Sequence, residues 1–352
     1  MNKNIFIGNK EISETSPTFI IAELSCNHNG DLGIAIRTID EMHKAGADCV
    51  KLQTSRPESL TLNSTKDDFV IKGGTLWDGR TLFDLYKEVY TPWEWHKEIK
   101  EYVESKGMVF FSSPFDFEAV DFLEELNVPA YKIASFEITD IPLIKYTASK
   151  GKPMIISTGI AQHEDIQLAI DTCLEVGNED LVFLKCTSAY PTPLEEVNVK
   201  IIPQMKDRYD CLIGLSDHTL GSIVPCTAVA LGAKIIEKHF ILDKSIGGPD
   251  AAFSMLPHEF KNMVDTVRDV EKALGNTTDE LSERVKKNRQ FSRSIYIVKD
   301  IEEGDEFTND NIRSIRPGFG LHPKYYDYVL GKKSKVNAKK GTRLEMIMVK
   351  ED

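Results

Sequence analysis

The chain has 352 residues, of which 41% are hydrophobic and 28% charged, and its formal net charge is -12 at pH 7. This length exceeds one ordinary domain and suits a large barrel or sandwich followed by a smaller domain. The acidic balance leaves no basic stripe to neutralise phosphates, so nucleic-acid binding is not expected. The apolar runs are far shorter than a membrane span, so no membrane association is expected either.

The first residues and the cysteines both indicate a cytoplasmic protein. The start, MNKNI, lacks the long apolar core of a secretory signal. Among the six cysteines, no pair has the Cys-x-x-Cys spacing of zinc and redox sites. Several lie inside apolar, strand-like runs, as Cys49 and Cys186 do. We interpret all six as reduced core residues.

Short apolar segments rich in β-branched residues recur eight times along the chain and are predicted to be strands. Segments with helical periodicity lie between most of them. Eight alternations fit a closed parallel TIM barrel, (β/α)8, with a doubly wound open sheet as the alternative. The predicted strands are 19–25, 49–54, 108–114, 130–135, 153–159, 181–188, 211–218 and 234–240. The predicted helices are 34–45, 93–106, 117–126, 161–176, 222–231 and 257–274.

Two regions depart from this alternation. The connection between Gln53 and Trp93 is long for a strand–helix loop, and an insertion on the catalytic rim is typical of a lid or substrate-binding loop. After Leu274 the sequence becomes polar, and from Ser292 short strand-like pieces alternate with turns. We therefore predict a barrel domain over 1–278, a linker over 279–290 and a small β-rich domain over 291–352.

Two histidines end consecutive predicted strands, His218 in GLSDH and His239 in EKH. Neighbouring strands lie about 4.8 Å apart, so two strand-end imidazoles can share one ion at about 2.1 Å each. Two protein ligands leave positions open for water or substrate, which is typical of a catalytic metal site. The alternative is that each histidine only forms hydrogen bonds at the rim.

Lysines near strand ends predict an anionic ligand beside that pair. Lysine is costly to bury without a counter-charge, so lysines converging on a barrel mouth indicate a phosphate or carboxylate. Strand alternation turns Lys238 away from the lumen if its neighbour His239 faces inward. Lys51 and Lys132 are therefore the stronger candidates, and Lys185 is left open.

Hydroxyls and one carboxylate follow the same pattern. Ser135, Ser157, Ser188 and Ser216 each close a predicted strand, and hydroxyls with nearby backbone N–H groups can form an oxyanion cradle. Glu23 lies between apolar residues of the first strand, and is either a general acid or base or the partner of Lys51 on the next strand.

The sequence lacks the common nucleotide and hydrolase motifs. It has no GxxxxGK[ST] loop, no GxGxxG that opens a helix after a strand, and no GxSxG. Nucleotide hydrolysis, Rossmann-type hydride transfer and nucleophile-elbow hydrolysis are therefore not supported.

Taken together, the strand-end motifs resemble the sialic acid synthase family, the phosphoenolpyruvate-condensing nonulosonate synthases. The motifs are IIAELSCNHNGDLGIA, GADCVKLQT, SSPFD, YKIAS, STGIA, KCTSAYPTP, GLSDHTLG, EKHF and RPGFG, and the resemblance covers essentially the whole chain. It implies a barrel followed by an antifreeze-like (SAF, β-clip) domain, in a domain-swapped homodimer. It also implies condensation of phosphoenolpyruvate with the open-chain aldehyde of an N-acetylated amino sugar.

The resemblance also implies roles for individual residues. His218 and His239 would hold a divalent metal, usually manganese, with magnesium or cobalt as alternatives. Glu23 would act as acid or base, and Arg316 would reach from the C-terminal domain into the partner's barrel. The implied phosphoenolpyruvate ligands are Lys51, Lys132, Ser135, Ser157 and Ser216, with Ser188 where family members often have Asn. Tyr190 and Asp250 would contact the sugar, and Gln53, Asp217 and Glu237 complete the predicted substrate-binding set.

Within the family, the inserted stretch and the phrases EKHFILDKSI and RPGFGLHPKYY resemble the pseudaminic acid synthase branch. Its substrate is 2,4-diacetamido-2,4,6-trideoxy-L-altrose, which lacks a C6 hydroxyl. We therefore expect an apolar patch near C6, from Phe253 or the inserted loop. Gly248-Pro249-Asp250 instead resembles the sialic and legionaminic branches, so N-acetylneuraminate, legionaminate or spore-coat polysaccharide synthesis is the alternative.

Two other classes of protein stay open on residue type alone. A non-catalytic carbohydrate- or ice-binding protein would use the C-terminal domain, but it would not need Glu23, Lys51, Lys132 and both histidines at strand ends. A barrel aldolase with a Schiff-base lysine would be trapped by borohydride in the presence of substrate, and we expect no trapping.

Overall fold

The computed structural model describes residues 1–74 and 77–351 and divides the chain into two compact units, the first spanning Met1–Gly275 and the second beginning at Asn276. In the first unit, eight parallel strands close into a barrel, each paired with the strand before it, and the last paired with the first. The predicted TIM barrel is therefore confirmed. Its strands are β3 (Phe19–Glu23), β4 (Cys49–Thr54), β5 (Val109–Pro114), β6 (Tyr131–Ile133), β7 (Met154–Ser157), β8 (Leu181–Cys186), β9 (Leu212–Asp217) and β10 (Ile235–His239).

Helices connect the barrel strands, and polar caps begin several of them. Asp31, Asp116 and Asp140 each accept a hydrogen bond from a backbone N–H in the first turn of the helix that follows. The connecting helices are α1 (Leu32–Lys44), α4 (His96–Ser105), α5 (Phe117–Glu125), α6 (Ile141–Ala148), α7 (His163–Glu175), α8 (Ile202–Tyr209) and α9 (Ile223–Ala230), and α10 (Pro257–Leu274) follows the last strand.

The sequence prediction missed two of these helices and an N-terminal hairpin. α6 and α8 have eight residues each and carry proline in the first turn, where its missing N–H costs nothing. Two turns are too short to show a clear helical period, so the sequence does not predict either helix. The hairpin pairs β1 (Asn4–Ile7) with β2 (Lys10–Ser13), and its isoleucines join the main hydrophobic core.

The barrel core is filled by strand side chains on both faces. Every residue of β3, β5, β6, β7, β9 and β10 is buried, which explains why these strands appear in the sequence as nearly continuous apolar runs. Gly214 of β9 shows how closely the packing fits. An added Cβ there would lie 2.6 Å from Leu184 Cδ2 and 2.7 Å from the Ile235 carbonyl oxygen.

The insertion predicted between the second and third barrel strands has structure of its own. We call residues 55–91 the lid. It contains α2 (Pro57–Leu60), a 3-10 turn at Asp67–Phe69 and α3 (Leu82–Val89). Its two ends are fixed together, since Trp93 Nε1 donates to the Ser55 carbonyl at 3.1 Å and the Arg56 guanidinium lies 4.0 Å from the centre of the Trp93 ring.

The second unit has its own small core. β11 (Ser294–Ile297) pairs antiparallel with β12 (Ile312–Ile315), and their isoleucines pack with Phe307 and Leu344. The predicted linker 279–290 lies within this unit, where α11 (Glu283–Asn288) forms one short helix; a second, α12 (Tyr326–Val329), follows β12. Across residues 1–74 and 77–351, we find no helix with the length and hydrophobicity that a bilayer crossing requires.

Candidate active site

His218 and His239 come together at the carboxyl ends of β9 and β10. Their ring centroids are 5.4 Å apart. An imidazole centroid lies about 3.2 Å from an ion bound at its nitrogen, so two rings on one tetrahedral ion have centroids about 5 Å apart. The two rings thus have the spacing of a shared metal site.

The neighbours of the two histidines leave ring nitrogens available. His218 Nδ1 lies 3.2 Å from the Thr187 carbonyl oxygen, which assigns its proton to Nδ1 and leaves Nε2 as the free acceptor. His239 Nδ1 is buried without a hydrogen-bond partner, 3.4 Å from Asp250 Oδ2. Within the described residues, no cluster of three or more His, Cys, Asp or Glu has metal-binding geometry. The donor set therefore fits an ion with two imidazole ligands and open positions for substrate and water.

A chain of alternating charges runs across the barrel lumen next to these histidines. Lys51 forms an ion pair with Glu23, and its Nζ lies 3.7 Å from Glu237 Oε1. Lys132 Nζ lies 3.8 Å from the same Glu237 oxygen. All four side chains are buried, and strand register places Glu23 beside both Lys51 and His239.

The balance of charges in this chain is uneven. Burial disfavours the Lys51 ammonium, but Glu23 and Glu237 outweigh it and raise the Lys51 pKa. Burial likewise opposes ionisation of Glu237, and Lys132 and Lys51 together lower its pKa. At Lys132 burial outweighs the attraction of Glu237, and the nearby Lys51 charge adds to the effect, so the pKa of Lys132 is lowered below its ordinary value. Lys132 is therefore a buried cation with too little negative charge around it, as expected at an anion site.

Hydroxyls surround Lys132 and form a small cradle. Lys132 Nζ donates to Ser157 Oγ at 2.7 Å, and the Gly159 N–H donates to Ser135 Oγ at 3.1 Å. Ser188 Oγ is buried and has no hydrogen-bond partner. A Cβ on Gly159 would lie 2.1 Å from Ser188 Oγ and 2.6 Å from Ser135 Oγ, so only glycine leaves the cradle open.

Further polar and aromatic side chains lie around the two histidines. Ser25 Oγ donates to Asp250 Oδ2 at 2.5 Å, and Gln53 Nε2 donates to Ser25 Oγ at 3.2 Å. The Tyr190 ring lies 4.5 Å from the His218 ring, centre to centre. Ser25, Gln53, Tyr190 and Asp250 line a cavity of about 440 Å³ together with His239, and it is large enough for a small sugar.

One residue predicted in the barrel site does not join this group. Asp217 faces away from the lumen, where its carboxylate accepts from Lys238 Nζ at 2.5 Å and from Thr219. The alternation that turns Lys238 outward also turns Asp217 outward, because the two are register neighbours on β10 and β9. Arg316 lies in the second unit, where it is exposed.

Ser25 and Glu137 also line the cavity, although neither is among the site residues predicted from the sequence. Ser25 follows β3 as the selected serines follow their strands, and its backbone φ of 47° is unusual for a non-glycine residue. Glu137 lies two residues after Ser135, in a 3-10 turn rather than a strand. Burial raises the pKa of Glu137 to about 7, against the opposing effect of Lys132, and its Oε2 has no hydrogen-bond partner.

Comparison with known proteins identifies the family of this site. The NeuB family model matches residues 38–279, and the SAF domain model matches residues 292–346. The chain belongs to the NeuB family. The resemblance to the sialic acid synthases is thereby confirmed, as is a SAF domain after the barrel.

Individual NeuB-family relatives extend over nearly the whole chain. A pseudaminic acid synthase from Campylobacter jejuni is 51% identical over 93% of this chain and 95% of its own length. A pseudaminic acid synthase from Helicobacter pylori is 46% identical over 93% and 96%. The crystal structure of N-acetylneuraminic acid synthetase from Leptospira borgpetersenii aligns with a TM-score of 0.73 at 31% identity, over 82% of this chain and 95% of that one.

Proposed function

We propose that this NeuB-family chain is a pseudaminic acid synthase. It condenses phosphoenolpyruvate with 2,4-diacetamido-2,4,6-trideoxy-L-altrose and water to give pseudaminic acid and phosphate. The proposal rests on the buried cation of Lys132, which lies among hydroxyls and next to the Glu237 carboxylate, with too little negative charge around it. Glu237 separates Lys132 from the histidine pair. The identity to two pseudaminic acid synthases supports the choice of sugar.

The cradle has the chemistry needed for phosphoenolpyruvate. Lys132 supplies a charge-assisted donor, while the Ser157, Ser135 and Ser188 hydroxyls rotate to donate to phosphate oxygens. Lys132, Ser135 and Ser157 are buried, and so is the Ser188 hydroxyl oxygen, which keeps bulk water away from the cradle. The resulting low dielectric strengthens each contact and keeps the three-carbon unit in a fixed orientation.

The reaction forms one carbon–carbon bond and replaces the carbon–oxygen bond to phosphate by one to an oxygen from water. Carbon 3 of the enol attacks the sugar aldehyde, whose oxygen gains negative charge and then a proton. A water molecule adds at carbon 2, and phosphate leaves from the tetrahedral centre to give the keto acid. A divalent ion, with manganese the expected one, would be held by His218 and His239 and would supply Lewis-acid stabilisation of the aldehyde oxygen.

Two carboxyls of this chain are suited to the proton transfers. Glu23 accepts hydrogen bonds from the Ser25 N–H at 2.9 Å and from Gln53 Nε2 at 3.5 Å, which fixes its orientation next to Lys51. Glu137, with a pKa near 7, exchanges its proton readily at neutral pH. We therefore assign an acid–base role to Glu137 as well as to Glu23, although the sequence does not predict it.

We propose that the active unit is a homodimer in which Arg316 enters the partner's site. Arg316 follows β12, is exposed, and has no ion pair among the described residues. Phe319, in the same RPGF turn, is 57% exposed. The test is complementation: variants lacking His239 or Arg316, each inactive alone, should regain activity on mixing if the sites are shared.

The experiment that tests the function is a phosphate-release assay. Phosphoenolpyruvate, manganese and a panel of amino sugars are incubated with the full chain, with and without chelator. We expect release with the trideoxy diacetamido sugar and its loss on chelation. Release with N-acetylmannosamine at an undiminished rate would overturn the pseudaminic assignment. If none of the amino sugars led to phosphate release, the synthase assignment would be overturned.

Replacing Glu137 by Gln should remove a pH-dependent step near pH 7 from the kcat/KM profile. It should also change stability in a defined direction. The folded-state pKa of about 7 exceeds the ordinary 4.5, so wild-type stability falls as pH rises from about 4.5 through 7. The loss approaches about 3 kcal/mol by pH 8, from about 1.4 kcal/mol per pKa unit.

We expect E137Q to lack this loss of stability. Denaturant unfolding should therefore show that the free energy of unfolding of E137Q, relative to that of wild type, is higher at pH 8 than at pH 5. The matched control is Glu125→Gln at the exposed end of α5. Parallel pH profiles for E137Q and wild type would contradict the assignment.

A further inference from the structure

The wall of the site cavity that faces its polar rim is built by the lid. On the rim side the lining includes Gln53, His239 and Asp250. On the lid side it is aliphatic and aromatic apart from Ser55, comprising Leu60, Ile71, Trp77, Leu82, Leu85, Tyr86 and Val89. Aromatic rings such as Phe115 and Phe253 also line the rim side, but among the described lining residues every leucine, isoleucine and valine comes from this one insertion.

The helical part of this wall follows from its spacing. Leu82, Leu85 and Val89 lie at positions i, i+3 and i+7 of α3, which places them on one face of the helix. The exposed side chains of α3, Asp84, Lys87 and Glu88 among them, are polar. An apolar helix face normally packs on a core, but this face lines a cavity. A ligand bound in the cavity would therefore complete the burial of these side chains.

The lid holds this wall in place before any ligand binds. The Ile71 N–H donates to the Arg80 carbonyl at 2.8 Å, and the Gly79 N–H donates to the Ile71 carbonyl at 2.9 Å. A bridge joins Val70 to Thr81, the capping residue of α3. The wall is also linked to the reaction centre, because the Trp77 ring lies 5.8 Å from the Tyr190 ring.

Phe253 occupies a different part of the cavity. Its ring lies 5.0 Å from the His239 ring and 5.9 Å from the His218 ring, centre to centre. It therefore packs at the end where the aldehyde would react. The apolar patch predicted near C6 is expected from either Phe253 or the inserted loop. Since Phe253 packs at the reacting end, the lid is the one that can contact the remote end of the sugar.

We infer that Ile71, Leu82 and Val89 of the lid select the acceptor by packing against the methyl group at its remote end. The inference rests on the proposed function and names the residues that would set its sugar specificity. A methyl group displaces water from an aliphatic surface at a gain, whereas a hydroxyl loses its water there and finds no partner on these three side chains. Discrimination of this kind amounts to about 10- to 200-fold for one group.

The decisive variant is Val89→Thr, which exchanges one methyl for a hydroxyl at nearly constant volume. We expect its preference for the trideoxy diacetamido sugar over N-acetylmannosamine, measured as the ratio of kcat/KM values in phosphate release, to fall at least tenfold. The KM for phosphoenolpyruvate should stay within twofold of wild type. Leu82→Gln, a second variant on the same face, should shift the ratio in the same direction.

The matched control is Val70→Thr, the same substitution in the same lid at a residue that does not line the cavity. Circular dichroism and the phosphoenolpyruvate KM verify folding of each variant. If wild type uses the trideoxy sugar and both cavity variants keep the wild-type ratio, the inference is overturned while the synthase proposal stands. Phosphate release with none of the acceptors would overturn both.

Discussion

A His239→Asn variant should lose at least about a thousandfold in turnover while still binding phosphoenolpyruvate. Asparagine places its amide where His239 Nδ1 lies, 3.4 Å from Asp250 Oδ2, but it has no group at the position of Nε2. Removing one of the two imidazoles would remove the proposed Lewis acid, and a loss of about 4 kcal/mol of stabilisation corresponds to roughly three powers of ten in rate. Steady-state phosphate release measures the turnover number, and titration calorimetry with manganese measures the affinity for manganese.

The comparison variant is His163→Asn, since His163 bonds Tyr209 at the start of α7, away from the lumen. It should keep near-normal turnover and manganese affinity. We also expect the KM for phosphoenolpyruvate in H239N to change by no more than a few-fold, because Lys132 and its serines are untouched. An H239N enzyme that turned over at one tenth of the wild-type rate, or bound manganese as tightly, would refute the two-histidine site.

The second large effect is expected from Lys132→Met. Truncating a buried, hydrogen-bonded charge costs about 2–5 kcal/mol in binding, so kcat/KM for phosphoenolpyruvate should fall by about 30-fold or more. Most of the loss should appear in KM, because the methionine leaves the histidine pair and Glu23 in place. Initial-rate kinetics over a range of phosphoenolpyruvate concentrations separate the two constants.

The same variant should be at least as stable as wild type at pH 7. The pKa of Lys132 is lowered by burial, so below that pKa the folded protein bears the cost of a buried ammonium. As pH rises through the lowered pKa towards 10.5, the unfolded chain binds more protons and wild-type stability increases, a rise that K132M should lack. Thermal unfolding at pH 7 and pH 10 measures both effects.

Lys234→Met provides the control at the other end of β10. Its ammonium is also partly buried with a lowered pKa, and it donates to the Ser16 carbonyl at 2.8 Å, far from the cradle. The activity of the Lys234→Met variant should equal that of wild type. If K132M melted several degrees below wild type, Lys132 would be a structural residue and the anion site would have to be sought elsewhere.

Strand periodicity explains which parts of the site could be predicted from sequence. The eight barrel strands could be recognised because burial on both faces makes each a run of apolar residues. Alternation then separates Glu237 and His239, which face the lumen, from Lys238, which does not. Applied to β9, the same rule separates His218 from Asp217, which the prediction had placed in the site.

The parts that could not be predicted lie where no period applies. Ser25 and Glu137 follow their strands in irregular backbone, and their proximity to the site depends on turn conformations. The lid could be recognised as an insertion, but not which of its side chains line the cavity. That depends on the orientation of α3, which tertiary contacts fix.

The buried Lys238–Asp217 pair has a consequence for how these two strands can change over evolution. Adjacent residues serve opposite compartments, with His239 and Glu237 in the lumen and Lys238 behind the barrel wall. Losing or gaining a single residue in β10 would exchange them, putting an ammonium where the ion should bind and two ionisable groups against the helices. The outward pair can therefore be replaced as a unit by apolar residues, whereas changes in the length of β10 should be eliminated.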